Sequence, residues 1–340
     1  MMRGSPLSRW TVRPERAEGR VSLDAPKRYA VVGVGHLGRF HAEKYALIPG
    51  ARLVAVVDKD AARADEVAEL HGCEALTDHR QLAGRVDAAS VVVPTVHHFE
   101  VAQDLLNAGI DVLVEKPIAV NLEEADTLIR LATGQKAILQ VGHVERFNRA
   151  LMALEKTIRN PRFIESHRLG AFSGRATDVD VVLDLMVHDL DIISSIVKSD
   201  LASVEAIGVP VLSGTVDIAN ARVRFRNGCI ANITASRVSV TPVRKIRIFQ
   251  PDAYISIDFH ESRINLLRID RSGESPEISG EEIEIAKADQ LEAEIRAFTR
   301  CVETRARPLV SGDEGRAALA MAERVRASLE ESLASLGVDP

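Results

Sequence analysis

The stretch YAVVGVGHLG, residues 29–38, joins a short apolar run to a G-x-G-x-x-G turn. Such a run is typical of a buried parallel strand, and a helical pattern follows directly over residues 39–48. The first glycine of such a unit permits the tight turn, the second lets the backbone approach a pyrophosphate, and the third lets helix and strand pack closely. The pattern predicts a dinucleotide-binding turn with contacts from Gly33, Gly35, His36, Leu37 and Gly38.

A second apolar strand, residues 53–57, ends in Asp58, 20 positions after Gly38. This is the spacing expected of a carboxylate that accepts hydrogen bonds from the ribose hydroxyls. A carboxylate there repels a 2′-phosphate, so the sequence favours NAD over NADP. Lys59 and Arg63 could soften that repulsion. The alternative interpretation is that Asp58 only starts a turn.

The composition indicates a globular protein of two domains. The chain has 340 residues, of which 46% are hydrophobic and 27% charged, and its net charge is −6. Neither nucleic acid nor a membrane is therefore expected as a partner. The three cysteines, Cys73, Cys229 and Cys301, are scattered, which predicts no disulfide framework, no metal site and a cytoplasmic location.

Residues 1–27 carry several arginines among Ser, Pro and Gly and show no apolar periodicity. They lack the apolar segment of a secretory signal. We expect a disordered tail, or residues upstream of the true start.

Strands and helices alternate over residues 28–145. Further strands are expected at 88–93, 110–115 and 137–141, and further helices at 61–71, 99–108 and 122–133. This order predicts an α/β fold with a doubly wound parallel sheet, forming an NAD-binding domain. Ligands of such sheets bind beyond the carboxyl ends of the strands. The glycine turn should therefore share one cleft with Asp58, Pro94, Thr95, His98, Glu115 and Lys116.

Residues 146–340 are expected to form a second domain, for substrate binding and oligomerisation. A helix at 150–159, a strand at 162–169 and a polar loop at 173–178 precede an apolar helix at 180–197. That helix has a polar line on one face: Asp180, Asp184, His188, Asp191 and Ser195. The line is either a solvated face or part of a cleft in which Asp184 tunes His188.

Residues 202–270 predict a largely antiparallel sheet of about six strands, followed by helices at 289–304 and 313–336. Several strands, such as 204–211, are apolar on both faces, so the second face should be covered. Either a homo-oligomer or helices of the same chain would cover it.

These pieces together resemble the glucose–fructose oxidoreductase / inositol dehydrogenase / rhizopine-catabolism (Gfo/Idh/MocA) family from about residue 27 onwards. The matching parts are the glycine turn, Pro94-x-x-x-His98, Glu115-Lys116-Pro117 and Asp184-x-x-x-His188. The resemblance implies an N-terminal Rossmann domain, an α/β domain whose open sheet forms oligomer interfaces, and NAD(P)-dependent oxidation or reduction of sugars and cyclitols. It implies that Lys116 lies near the nicotinamide and the reacting hydroxyl.

Within the family, residues 141–148 and 178–191 resemble bacterial members that oxidise the 3-hydroxyl of UDP-N-acetylglucosamine. In those members the reaction precedes a transamination for amide-linked lipid A. The alternative is a dehydrogenase of a free sugar or inositol. A non-catalytic NAD-binding regulatory subunit is a third hypothesis, against which the presence of both Lys116 and His188 argues.

The expected reaction is hydride transfer from a sugar carbon to nicotinamide. His188 is the candidate base, Asp184 orients it, and Lys116 donates to the substrate oxygen. Lys116 and His188 could exchange roles. His98 is expected to line the cofactor pocket. Arg146 either binds a substrate phosphate or carboxylate or is a surface ion-pair partner.

Overall fold

The computed structural model describes residues 9–11, 25–172, 180–273 and 275–335. Its chain forms two compact units. Of the described residues, the N-terminal unit comprises 25–147 and 289–319, and the C-terminal unit comprises 9–11, 148–172, 180–273, 275–288 and 320–335. Within the described ranges, no helix combines the length and the apolar character needed to cross a membrane.

The strands and helices are numbered in chain order. The strands are β1 (Arg9–Thr11), β2 (Lys27–Val32), β3 (Ala51–Val57), β4 (Glu74–Leu76), β5 (Ala88–Val91), β6 (Asp111–Glu115), β7 (Leu139–Gly142), β8 (Phe163–Leu169), β9 (Leu201–Val209), β10 (Ile218–Phe225), β11 (Ile230–Ser236), β12 (Val243–Gln250), β13 (Ala253–Asp258), β14 (Arg263–Asp270) and β15 (Glu277–Glu284). The α-helices are α1 (Gly38–Leu47), α2 (Ala61–His71), α3 (His98–Asn107), α4 (Leu122–Gln135), α5 (Arg149–Leu154), α6 (Val187–Val197), α7 (Gln290–Thr304) and α8 (Gly312–Ser335).

The N-terminal unit contains a six-stranded parallel sheet in the order β4-β3-β2-β5-β6-β7. The chain winds outward from β2 in one direction and then from β5 in the other. The ends of β2 and β5 therefore form the switch point at which such sheets bind ligands. The predicted doubly wound α/β fold is confirmed. The sequence analysis missed β4, which has only three residues, one of them a glutamate.

Helix α7 packs into the apolar core of the N-terminal unit. Tyr29 stacks on Tyr45 with ring centroids 4.8 Å apart. Ile295 and Phe298 of α7 are fully buried in the same apolar cluster. The sequence analysis assigned all of residues 146–340 to the second domain. Asp289–Leu319 instead cluster with the N-terminal unit, because the apolar face of α7 is buried in this core.

The C-terminal unit contains a nine-stranded sheet in the order β1-β15-β14-β13-β12-β8-β11-β10-β9. Its pairs are antiparallel except β8 with β11 and β1 with β15. The predicted large, mostly antiparallel sheet is confirmed. β15 was missed because its sequence, EISGEEIE, alternates poorly and is rich in glutamate.

The two faces of this sheet differ. On one face, alternate residues such as Ala221, Ile233 and Ile246 are fully buried. On this face α8 also contacts β9, where Ser328 Oγ accepts from the Ala206 amide at 2.9 Å. On the other face Ile207 and Val209 remain 50% and 49% exposed. Helices of the same chain thus cover one face.

Three local expectations concern the disordered tail, the polar loop at 173–178 and the helix at 150–159. Arg9–Thr11 form β1, which pairs with the edge of β15, so disorder is wrong for these residues. An edge strand offers unpaired backbone groups to such a partner. The rest of the expected tail up to residue 24, and the polar loop at 173–178, lie outside the described residues. Helix α5 ends at Leu154 rather than 159, and the Thr157 carbonyl accepts from the Gln250 side chain at 3.2 Å.

Candidate active site

A cavity of about 850 Å³ in the N-terminal unit opens at the carboxyl ends of the parallel strands. Its lining includes nine of the residues predicted to meet there: Gly33, Gly35, Leu37, Asp58, Pro94, Thr95, His98, Glu115 and Lys116. His36 and Gly38 do not line it. His36 is exposed and lies edge-on to the Phe40 ring, with centroids 5.6 Å apart.

The three glycines of the turn have different surroundings. Gly33 has φ +87°, and a Cβ there would lie 2.6 Å from the Val92 carbonyl oxygen. A Cβ on Gly38 would lie 1.8 Å from the Gly33 carbonyl oxygen, so α1 starts in direct contact with the turn. A Cβ on Gly35 would meet nothing within 4 Å. The turn is therefore packed at its two ends and open to the cavity at its centre.

The start of α1 suits an anion. Its first turn contains no acidic residue, and no side chain caps its N-terminus. The positive end of the helix dipole is therefore available to a phosphate group. Together with the open backbone at Gly35, this start of the helix fits the pyrophosphate of a dinucleotide.

Asp58 is held in place at the end of β3. Its carboxylate accepts from the amides of Val34 and Asp60, both at 3.0 Å, and is only 10% exposed. Arg63 Nη1 lies 3.3 Å from the same carboxylate. Lys59 and Arg63 also line the cavity. The carboxylate is thus oriented before a ligand binds, and a cation lies next to it.

His98 connects the loops that follow β5 and β6. Its Nδ1 lies 2.8 Å from the Pro117 carbonyl oxygen, and its Nε2 lies 2.9 Å from that of Val93. Burial lowers the pKa of the imidazole, although the two carbonyls act in the opposite direction. A neutral ring has one N–H and donates to only one of them. Both nitrogens therefore face the main chain, although the residue lines the cavity.

Glu115 and Lys116 lie at the end of β6. Glu115 Oε1 is 3.2 Å from His41 Nε2, and Oε2 accepts from the Lys116 amide at 3.2 Å. Burial raises the pKa of the Glu115 carboxyl, but His41 and Lys116 outweigh burial and hold that pKa below its usual value. The carboxylate is therefore charged, and it lies directly before the lysine.

The sequence analysis missed another group of lining residues. They follow β4 or lie on α3: Thr77, Asp78, His79, Arg80 and Glu100. Asp78 caps the short 3-10 helix His79–Leu82 by accepting from the Arg80 amide at 3.0 Å. The rule that ligands bind beyond strand ends would have indicated Thr77 and Asp78 if β4 had been recognised.

Asp184 and His188 belong to the C-terminal unit. Asp184 lies in the π-helical turn Val182–Met186, and His188 lies in the first turn of α6. The sequence analysis expected one regular helix from residue 180. The segment begins with wider π geometry, which is frequent at functional sites. Asp184 and His188 are half-buried and Asp191 is 2% exposed, so this face is not a solvated one.

The residue next to His188 fixes α6 to the sheet. Asp189 is 2% exposed, and its carboxylate accepts from Arg168 Nε at 2.7 Å and from Ser166 Oγ at 2.9 Å. Both partners lie on β8. Arg146, the other predicted substrate contact, is half-buried in the 3-10 helix Val144–Phe147 of the N-terminal unit.

A glycine turn, an oriented carboxylate at the next strand end and a lysine on the wall of one cavity define a dinucleotide-dependent oxidoreductase. The comparison with protein families specifies this class further. Residues 27–143 match the model of an oxidoreductase family with an NAD-binding Rossmann fold, and residues 151–255 match the GFO/IDH/MocA C-terminal domain. The chain belongs to the GFO/IDH/MocA family, as the sequence motifs predicted.

Individual relatives are similar along nearly their whole length. A UDP-N-acetylglucosamine 3-dehydrogenase of Acidithiobacillus ferrooxidans is 40% identical over 310 residues, which cover 90% of this chain and 98% of that enzyme. Its solved structure superposes with a TM-score of 0.85, covering 90% of this chain and 99% of that one. A myo-inositol 2-dehydrogenase of Thermotoga maritima is 28% identical, covering 89% of this chain and 96% of that enzyme.

Proposed function

We propose that the protein is an NAD-dependent dehydrogenase that oxidises the 3-hydroxyl of UDP-N-acetylglucosamine. The observation that carries this proposal is the 40% identity to an enzyme with that activity, over 90% of the chain. The inositol dehydrogenase of Thermotoga maritima has 28% identity over a similar span. Oxidation of a free sugar or inositol, by the same chemistry, is the second candidate.

In the proposed reaction, residues of the cavity would hold NAD, which would supply the acceptor for a hydride from C3 of the sugar. The turn around Gly35 and the positive end of the α1 dipole would hold its pyrophosphate, and Asp58 would accept hydrogen bonds from the adenosine ribose. His36, Leu37, Pro94, Thr95 and His98 complete the proposed cofactor site. This assignment is supported by the open backbone at Gly35 and by the carboxylate already oriented by Val34.

The proton of the sugar hydroxyl requires a base. We assign this role to His188, with Asp184 orienting the ring, and we assign to Lys116 the hydrogen bond that stabilises negative charge on the substrate oxygen. The role of Lys116 is supported by its place on the wall of the cavity that the glycine turn also lines. Arg146 is the proposed contact to the substrate diphosphate, because guanidinium groups pair well with phosphates.

We further propose a homo-oligomer that uses the outer face of the nine-stranded sheet. Ile207 and Val209 are half exposed there, and Phe163, Phe249 and Tyr254 form a row of ring contacts with centroids 5.6 and 5.1 Å apart. Sedimentation of the intact protein tests this idea, and a monomer at micromolar concentration would contradict it. We also propose a cytoplasmic location, which the odd number and scattered positions of the three cysteines favour.

Calorimetry of the NAD-loaded protein tests the substrate. Binding of UDP-N-acetylglucosamine, compared with UDP, free N-acetylglucosamine and myo-inositol, does not depend on the unfavourable equilibrium of alcohol oxidation. We expect the UDP-sugar to bind most tightly and to yield a 3-keto sugar, which a transaminase for an amide-linked lipid A would consume. Preference for free sugar or inositol would favour the second candidate. Full biological activity of Lys116→Met would instead indicate a regulatory subunit.

A further inference from the structure

His41 is a buried ionisable residue that the reaction described above does not use. It lies on α1, three positions after Gly38, and its side chain is 0% exposed. Its Nε2 lies 3.2 Å from Oε1 of Glu115, whose side chain is 12% exposed. An imidazole of α1 thus lies against a carboxylate at the end of β6.

Glu115 transmits this contact to the backbone of Lys116. Its second carboxylate oxygen accepts from the Lys116 amide at 3.2 Å. Gly142 of β7 lies against the same carboxylate, and a Cβ at that position would lie 2.8 Å from its carbon and from Oε1. The carboxylate is therefore enclosed by α1, by β7 and by the backbone of the segment that it precedes. It has little room to turn.

The charge of Glu115 makes the imidazole necessary. A carboxylate in the interior is stable only when it is paired, and removal of one partner leaves an uncompensated charge. Without the imidazole at position 41, Glu115 would take up a proton or shift from its place between α1 and β7. Either change alters its hydrogen bond to the Lys116 amide, and so the position of the lysine side chain.

We propose that His41 is a positioning residue for Lys116, acting through Glu115. Its side chain is fully buried and does not line the cavity. Its effect on turnover rests on the proposed role of Lys116 in hydride transfer, whereas its effect on the placement of Lys116 does not. Displacement of a catalytic group by about 1 Å lowers rates by about 100-fold. Loss of the imidazole should therefore reduce kcat while the affinity for NAD stays the same.

Three variants of α1 test the proposal. His41→Leu removes the polar contact to Glu115, and His41→Gln retains an N–H group that can occupy the place of Nε2. Tyr45→Phe is the matched control: it lies one turn further on the same helix, is equally buried, and loses a hydrogen bond to Ser90 Oγ of 2.8 Å. We expect His41→Leu to lower kcat at least about tenfold, His41→Gln to recover most of the loss, and Tyr45→Phe to keep the wild-type kcat.

A second readout does not need turnover. The rate at which an amine-specific acylating reagent modifies Lys116, followed by mass spectrometry, reports its placement directly. We expect a changed rate in His41→Leu and an unchanged rate in Tyr45→Phe. If His41→Leu does not fold, Glu115→Gln, which weakens the same contact, should change the rate instead. A Lys116 rate that stays the same in all of these variants would overturn the proposal. An inactive wild type that still shows these rate changes would overturn only the proposed function.

Equal losses of kcat in His41→Leu and Tyr45→Phe would also overturn it, because the cause would then be general packing of α1.

Discussion

The carboxylate of Asp58 accepts a hydrogen bond from the amide of Val34 at 3.0 Å. The end of β3 is thereby tied to the glycine turn that follows β2. One residue thus has two functions: it fixes the turn, and it presents its remaining acceptor sites to the cavity. Its ion pair with Arg63 lowers the local negative charge, so the repulsion of a 2′-phosphate is weaker than that of an unpaired carboxylate.

Replacement Asp58→Asn tests the basis of the cofactor preference. Hydrogen bonds to a charged group contribute about 1.5–3 kcal/mol, so we expect KM for NAD to rise about 10- to 100-fold. KM for NADP should fall, because the repelling charge is removed. Initial rates with each cofactor provide the measurement. Asp65→Asn, an equal charge change at an exposed position of α2, serves as control. An unchanged ratio of the two KM values would contradict this role.

The parallel sheet and much of the lining of its cavity were predictable, because local signals agreed with the global fold. The apolar run into the glycine turn, the acid ending β3 and the Lys116-Pro117 pair each mark a strand end. Parallel strands bring such ends to one edge. Glu115 was predicted to lie in the shared cleft, yet its contact with His41, 74 positions earlier in the chain, was not predicted.

The failures of prediction have physical causes too. β15 carries four glutamates in eight residues, and pairing with β14 and β1 supports it rather than its own propensity. Helix α7 follows the nine-stranded sheet in the sequence but shares a core with Tyr29. Its apolar face was visible in the sequence, but the partner of that face was not. Tertiary contacts of this kind leave no local pattern.

Replacement Lys116→Met should remove hydride transfer but not cofactor binding. The donor to the substrate oxygen is lost, and loss of such a group lowers kcat about 10²- to 10³-fold. Calorimetric titration with NAD should give the wild-type affinity. Lys156→Met, at an exposed position after α5, controls for loss of charge. A Lys116→Met variant with a wild-type kcat would exclude the lysine from the reaction.

Replacement His188→Gln decides which residue is the base. If the imidazole takes the hydroxyl proton, kcat/KM falls about 10²- to 10⁴-fold in the variant. Wild-type activity should fall on the acid side of its pH profile, where an imidazole becomes protonated. This acid limb should be absent from His188→Gln. Asp184→Asn should give a smaller loss and retain the acid limb. Rates as a function of pH provide the measurement. An acid limb that persists in His188→Gln but is absent from Lys116→Met would reverse the two roles.

Asp217 links stability to pH. Its buried carboxylate accepts from the amides of Val211, Leu212 and Ser213 at 2.8, 2.6 and 2.8 Å, and from Arg237 Nε at 2.9 Å. Burial raises the pKa of this carboxyl, but the Ser213 hydroxyl and the loop amides outweigh burial and hold that pKa far below its usual value. The folded protein therefore binds fewer protons than the unfolded chain at acid pH. The stabilisation is complete above about pH 5 and is lost as the pH falls toward the folded pKa.

Replacement Asp217→Asn should therefore lower the free energy of unfolding most at neutral pH. Loss of one partner of a buried ion pair costs about 3–5 kcal/mol in the free energy of unfolding. The difference from the wild type should narrow below about pH 4, because the wild-type protein then loses the stabilisation that the variant already lacks. Urea unfolding at neutral pH and below about pH 4 measures the difference. Asp65→Asn serves as the control for a surface carboxylate. The difference in free energy of unfolding between wild type and variant could instead stay constant with pH. In that case the shape and packing of the 211–217 loop would account for the stabilisation, rather than the charge of Asp217.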